Sequence, residues 1–146
     1  MKQLNDNDKK MFSSGYCLEY AIALKEDYEQ KNIPVQLALV QKEIEFDDFL
    51  EESILETAHA FVLIEVNEIK YGHDAHGIRK IDEIIESCLF LSAPKENKAF
   101  FETVNSVEDA ESYLGSASDE ATEIAKEKIS LMDEFKSFQK KNRLNI

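Results

Sequence analysis

Ser14-Gly15-Tyr16-Cys17-Leu18-Glu19-Tyr20-Ala21-Ile22-Ala23-Leu24 sets a cysteine just inside what reads as the first turn of a buried helix. Ser13 or Ser14 offers a side-chain oxygen to cap the free amides of that turn, and Gly15 leaves room for another backbone or a substrate. Leu18, Ala21, Ile22, Leu24 and Tyr28 leave little polar surface before Lys25 to Lys31, so the first half of the helix belongs in the core and the second half emerges. A thiol placed here meets the positive end of the helix dipole, which favours the thiolate, the species that attacks carbonyls. Glu19 and the overall negative charge work in the opposite direction. Taken alone, Cys17 has an ordinary explanation, since free cysteine commonly packs as a small hydrophobe.

Outward from this helix, Ala58-His59-Ala60-Phe61-Val62-Leu63-Ile64 is an apolar stretch preceded by a histidine, and Tyr71-Gly72-His73-Asp74-Ala75-His76-Gly77 follows it. Phe61 to Val66 predicts one strand, Asn67-Glu68 a turn and Ile69 to Tyr71 the next strand, so residues 59 to 74 form a hairpin. Antiparallel pairing then brings His59 and Asp74 together, the arrangement in which a carboxylate orients an imidazole. Singly, His59 also reads as a satisfied core histidine and Asp74 as a turn residue.

The other elements follow from pattern. Residues 1 to 12 form a polar lead ending in Met11-Phe12. Asn32 stops the first helix and Ile33-Pro34 is extended. Val35 to Val40 is a short central strand, and Asp47 to Leu55 a short acidic amphipathic helix. Ile81, Ile84, Ile85, Cys88 and Leu89 recur at helical spacing over Arg79 to Leu89, placing Cys88 in the core, and Pro94 ends that region. Phe100 to Val104 is a strand. Ser106 with Asp109 opens a helix that Gly115 terminates. A last helix runs from about Asp119 to Gln139 with Ser118 as its cap. Its stripe of Ile124, Ala125, Ile129, Leu131, Met132, Phe135 and Phe138 covers the sheet; a partner helix or a dimer seam is the alternative.

The chain has 146 residues, 43% of them hydrophobic, which suits one domain with a real core. Within that domain, residues 13 to 78 form the candidate catalytic core and residues 106 to 146 a helical carboxy-terminal part. With 30 acidic against 17 basic residues the net charge is -13, which argues against nucleic-acid and anionic-membrane binding and for a basic partner. No signal peptide or membrane span is visible, so a cytoplasmic protein is expected. Two cysteines make no disulfide framework.

A nucleophile helix followed by a sheet whose first hairpin carries histidine and acid resembles the papain-like thiol hydrolase superfamily, in particular its transglutaminase-like branch. The matching residues are Gly15-Tyr16-Cys17-Leu18-Glu19-Tyr20-Ala21, then His59-Ala60-Phe61-Val62, then Asp74-Ala75-His76-Gly77, within roughly the first half of the chain. The resemblance implies an α+β papain-like domain: an amino-terminal nucleophile helix on a small antiparallel sheet, covered by a carboxy-terminal helix. It further implies a cysteine-dependent acyl hydrolase or acyltransferase that needs no cofactor. Cys17 would attack a carbonyl carbon, His59 would move the proton, and Asp74 would hold the imidazole tautomer. The Cys17 amide would be one oxyanion donor, with Tyr16 and His76 at the rim of the site. The glutamine that often supplies the second donor has no counterpart close by; Gln3, Asn5 or Asn7 would have to stand in. The substrate would be a peptide, a protein or an amine, with the acidic surface favouring a basic one.

Two other chemistries fit parts of the sequence. His73 and His76 form a His-x-x-His pair to which His59, Asp74 and Cys17 could add zinc ligands, although the spacing follows no established zinc pattern. A small acidic binding or inhibitor protein, imitating nucleic acid and carried by a phage or mobile element, needs only the carboxylates over residues 43 to 56 and at the start of the last helix. Cys17 separates the readings, because a decoy needs no reactive thiol.

Overall fold

The side chain of Asn5 accepts a hydrogen bond from the Asp8 amide at 2.8 Å, and this cap opens a helix, α1 (Asp6–Ser14), in a computed structural model that describes residues 3–45, 53–88 and 97–142. The polar lead expected over residues 1 to 12 is therefore helical from Asp6 onward. What holds it is apolar: Leu4 and Phe12 are buried in the main core, and burying a phenylalanine contributes about 2–3 kcal/mol relative to leaving it exposed.

The amides of Gly15 and Tyr16 both donate to the Met11 carbonyl, which turns the chain and lets α2 (Cys17–Gln30) begin at the cysteine. Tyr16 occupies the cap position without a side-chain bond. The serine caps expected here are a misreading, because Ser13 and Ser14 end α1 and donate to the Lys10 carbonyl. Leu18, Tyr20, Ala21, Ala23, Leu24 and Tyr28 of α2 are buried and Ile22 half-buried, while Lys25, Glu26 and Asp27 are half-buried and Glu29 onward exposed, so the second half of the helix emerges as expected. Asn32, at φ 60°, stops it in the expected place.

Five strands follow: β1 (Gln36–Glu45), β2 (Ser53–Val66), β3 (Ile69–Asp74), β4 (Gly77–Lys80) and β5 (Asn97–Val104). They form one antiparallel sheet in the order β4-β3-β2-β1-β5. Asn67 and Glu68, at φ 53° and 67°, make the tight turn between β2 and β3, whose backbone twist matches that of the paired strands. The first two strands are longer than expected. The helix expected over Asp47 to Leu55 lies mostly outside the described residues, and its end, from Ser53, belongs to β2.

The two faces of the sheet carry two cores. Leu37, Leu39, Ala60, Val62, Ile64 and Tyr71 pack with α2, whereas Ala38, Val40, Phe61 and Leu63 pack with Ile81 and Ile84 of α3 (Ile81–Ser87). Residues 77 to 80 pair with β3 before that helix starts, so the helix expected from Arg79 is shorter. Cys88 is half-buried against the second core, and burial pushes its thiol pKa up. Buried Gln41 accepts from the Thr57 hydroxyl at 2.6 Å and donates to Glu102 at 2.8 Å, linking β2, β1 and β5.

Ser106 caps α4 (Val107–Leu114) and Gly115 ends it at φ 90°, as expected. The single long helix expected from Asp119 to Gln139 is two, α5 (Asp119–Ser130) and α6 (Glu134–Lys141). Asp133 caps the second by accepting from the Lys136 amide, and the break turns Phe135 onto Tyr28 and Phe138 onto Tyr71. Ile124 and Leu131 are left exposed, and α5 lies on α2 instead of on the sheet. Among the described residues no helix is long and apolar enough to cross a membrane.

Buried Glu19 pins this layer by accepting from the Ser118 amide at 2.8 Å, at the residue that caps α5. Glu19→Ala leaves that amide without its acceptor. Equilibrium urea unfolding should show a loss of about 1–3 kcal/mol, and an unchanged midpoint would mean that Glu19 contributes nothing to docking α5.

Candidate functional site

The β2–β3 hairpin sets His59 and Asp74 at a single hydrogen bond's distance: imidazole Nε2 lies 2.8 Å from carboxylate Oδ2, with both residues buried. A bulge in β2 falls beside the histidine. Val40 pairs with His59 and Gln41 with Thr57, so Ala58 is the extra residue. Such bulges bend a strand and re-aim its side chains next to functional sites. Cys17, at the first position of α2, lies near enough to the same imidazole to act on its protonation.

Asp74 divides its work between its oxygens. Oδ1 accepts from the His76 amide at 2.9 Å, which is the turn role visible in the sequence. Oδ2 accepts from His59 and also from Arg79 Nη2, each at 2.8 Å. The two-residue turn between β3 and β4 then requires Gly77, whose φ is 100°.

Burial is the largest influence on His59 and lowers its pKa, but the hydrogen bonds to Asp74 and Cys17, with the charges of both, outweigh it and raise the pKa to about 9. Burial likewise raises the Asp74 pKa, and here the hydrogen bond and charge of His59, the Arg79 guanidinium and the His76 amide bring it down to about 2. Near neutral pH the pair is imidazolium and carboxylate. The imidazolium can therefore give up a proton, which is what a leaving amine requires.

The structure thus brings together the three residues singled out as Cys17, His59 and Asp74. Tyr16 is exposed immediately before the cysteine, and His76 is exposed in the turn that carries the Asp74 hydrogen bond. Arg79 was not singled out, because its stretch reads as the start of a helix; its signal is the five-residue spacing from Asp74, since a tight turn that pairs Asp74 with Gly77 sets Arg79 opposite Gly72, diagonally within reach of the carboxylate. Asn5 is held at the start of α1 by the hydrogen bond its Oδ1 accepts, and Gln3 and Asn7 are exposed.

The two other histidines separate. His73 is buried with its Nδ1 at 2.7 Å from the Tyr28 hydroxyl, and its Nε2, 3.4 Å from Glu134 Oε2, makes no hydrogen bond among the described residues. His76 points to solvent, and among the described residues no group of three or more His, Cys, Asp or Glu side chains is placed to hold a metal ion. Tyr20 and Tyr28 are both held neutral by burial and then by the charge of Glu134. Both cysteines are free thiols. No protein-family model, curated protein or solved structure matches the chain, and the site is therefore read from its own geometry and chemistry.

Proposed function

We propose that this chain is a cysteine-dependent acyl hydrolase or acyltransferase of papain-like design, acting through Cys17, His59 and Asp74. The observation that carries the reading is the buried His59–Asp74 pair, 2.8 Å apart, with Cys17 close enough to the same imidazole to help draw its pKa up to about 9. A structural histidine in an apolar strand would be neutral at this burial.

The sulfur of Cys17 adds to the carbonyl carbon of an amide, and the C=O π pair moves onto oxygen, which the Cys17 amide at the start of α2 stabilises. As the tetrahedral species collapses, the C–N bond breaks and the imidazolium of His59 gives its proton to the departing amine, leaving a thioester. Neutral His59 then takes a proton from water, or from an acceptor amine, as that molecule attacks the thioester. The C–S bond breaks, and the thiolate and imidazolium are restored. Throughout, Asp74 holds Nε2–H, so that Nδ1 faces the reacting atoms.

Iodoacetamide alkylation, followed by peptide mass from about pH 5 to 8, tests this with Cys88 as the internal control. Cys17 should react well below a free thiol's pKa of about 8.5 and far faster than Cys88, and His59→Ala should slow it by about tenfold or more. Equal rates at the two cysteines, or indifference to His59→Ala, would remove the basis for the reading.

A further inference from the structure

A groove of about 520 Å³ runs along β4 beside Asp74 and departs from the charge of the rest of the chain. It is lined by Lys9, Arg79, Lys80 and Lys141 against two carboxylates, Glu83 and Glu134, in a protein where acids outnumber bases 30 to 17. Among the described residues Lys9, Lys80 and Lys141 form no salt bridge. Its floor is apolar, with Leu4, Tyr71, Ile78 and Phe138, which belong to the same core that Cys17 packs against. Arg79 and His76 line it while also bonding Asp74, so the groove begins where the proposed triad ends. The Arg79 Nε atom is buried and makes no hydrogen bond among the described residues. A recess of about 780 Å³ elsewhere on the sheet is different, with Glu65 and Glu102 against Lys70.

We infer that this groove binds a carboxylate-bearing segment of the peptide or protein on which Cys17 acts. The inference rests on the acyl-transfer reading above and sharpens it. Unpaired lysines around an apolar floor attract a segment that alternates carboxylates with apolar side chains, and they repel the basic substrate that net charge alone favours. Lys9 on α1, Lys80 on β4 and Lys141 on α6 converge on the groove from three elements and outnumber its two carboxylates, the reverse of the balance over the whole chain. The volume is ordinary for a ligand site and accommodates a few residues of extended chain.

Fluorescence anisotropy on full-length Cys17→Ala measures binding without turnover. The probes are fluorescein-labelled peptides of one length in which Leu and Ala alternate with Glu, Gln or Lys, each with an amidated or a free carboxy terminus. The Glu peptide should bind at least about tenfold more tightly than the Gln peptide, weaken as sodium chloride is raised, and lose its advantage in Lys80→Glu/Lys141→Glu. Lys70→Glu, at the other recess, should leave the preference intact. An advantage that appears only with free termini assigns the α-carboxylate as the group bound; one that persists in amidated peptides assigns side chains. Equal binding of the Glu and Gln peptides, tighter binding of the Lys peptide, or a preference that survives the double reversal would overturn the inference. The alkylation result separates the two proposals: an inert Cys17 with the Glu preference intact removes the catalytic reading and leaves an acidic-peptide site, whereas a reactive Cys17 without the preference removes only the groove.

Discussion

Asp74→Asn should bring the His59 pKa down from about 9 to below its ordinary value of 6.5 and slow Cys17 alkylation at neutral pH by about tenfold or more. The physical reason is a balance between burial and the neighbouring charge. Burial is the largest influence on His59 and acts to neutralise it, and the carboxylate is the main reason it does not. Asparagine keeps an oxygen for the His76 amide, so the turn survives, but it removes the charge at the position 2.8 Å from both His59 and Arg79. Arg79, with its side chain 23% exposed, then loses its ion-pair partner, and the fold should lose about 2–3 kcal/mol, toward the low end for a broken buried pair because solvent still reaches the guanidinium. Titration of the His59 ring proton by NMR reads the first effect and urea unfolding the second. A His59 that still titrates near 9 in Asp74→Asn would show that the carboxylate does not control it.

The same pair fixes how stability depends on pH. His59 has a raised folded pKa, so its contribution is full below 6.5 and disappears as pH rises through about 9. Asp74 has a lowered folded pKa, so its contribution is full above 3.8 and disappears as pH falls through about 2. Between 3.8 and 6.5 both contributions are complete.

The second large effect is expected at Gly72, where a β-carbon would lie 2.3 Å from Ile84 Cδ1 and 2.8 Å from Phe61 Cδ2. Ile84 could shift its terminal methyl, but Phe61 is a fully buried ring in the second core and has nowhere to move. Gly72→Ala should cost about 1–3 kcal/mol and Gly72→Val more, as expected for overpacking a dense interior. Ile84→Val in the Gly72→Ala background removes the nearer clash and should recover part of the loss. A Gly72→Val protein with an unchanged urea midpoint would mean that α3 does not pack closely on this strand. Because Gly72 pairs with Arg79, a displaced α3 should also disturb the guanidinium that holds Asp74.

The features that were legible in the sequence are those set by local chemistry. Asn67-Glu68 marks the hairpin, Ser106 with Asp109 and Gly115 bounds α4, and the hairpin carries His59 and Asp74 to the same end of the sheet. The features that were not legible are set by contacts distant in sequence. No glycine or proline breaks the helix at Leu131, and the one local signal, Asp133 as a cap, is masked by the apolar stripe that runs through it; the break goes with packing Phe135 on Tyr28 and Phe138 on Tyr71. Similarly, β4 has only four residues, too few for alternation to show, and the isoleucine spacing behind it extends the apparent helix back over Arg79. Asn5 and Asp8 did carry a readable cap, but so polar a segment has little apolar periodicity until Leu4 and Phe12 are seen in one core.

The extra residue at Ala58 divides β2 into two lengths that run out of phase. From Ala60 to Val66 the inward and outward positions are dictated by two cores, and no side chain there could turn toward a helix end without leaving a hole. Below the bulge the alternation restarts, so Thr57, which bonds Gln41, answers to a different set of neighbours. His59 stands at the seam between those two lengths. A single deletion at Ala58 would leave composition, charge and hydrophobicity almost untouched, yet it would rephase one length against the other and force a choice between the Thr57–Gln41 link and the histidine's bond to Asp74.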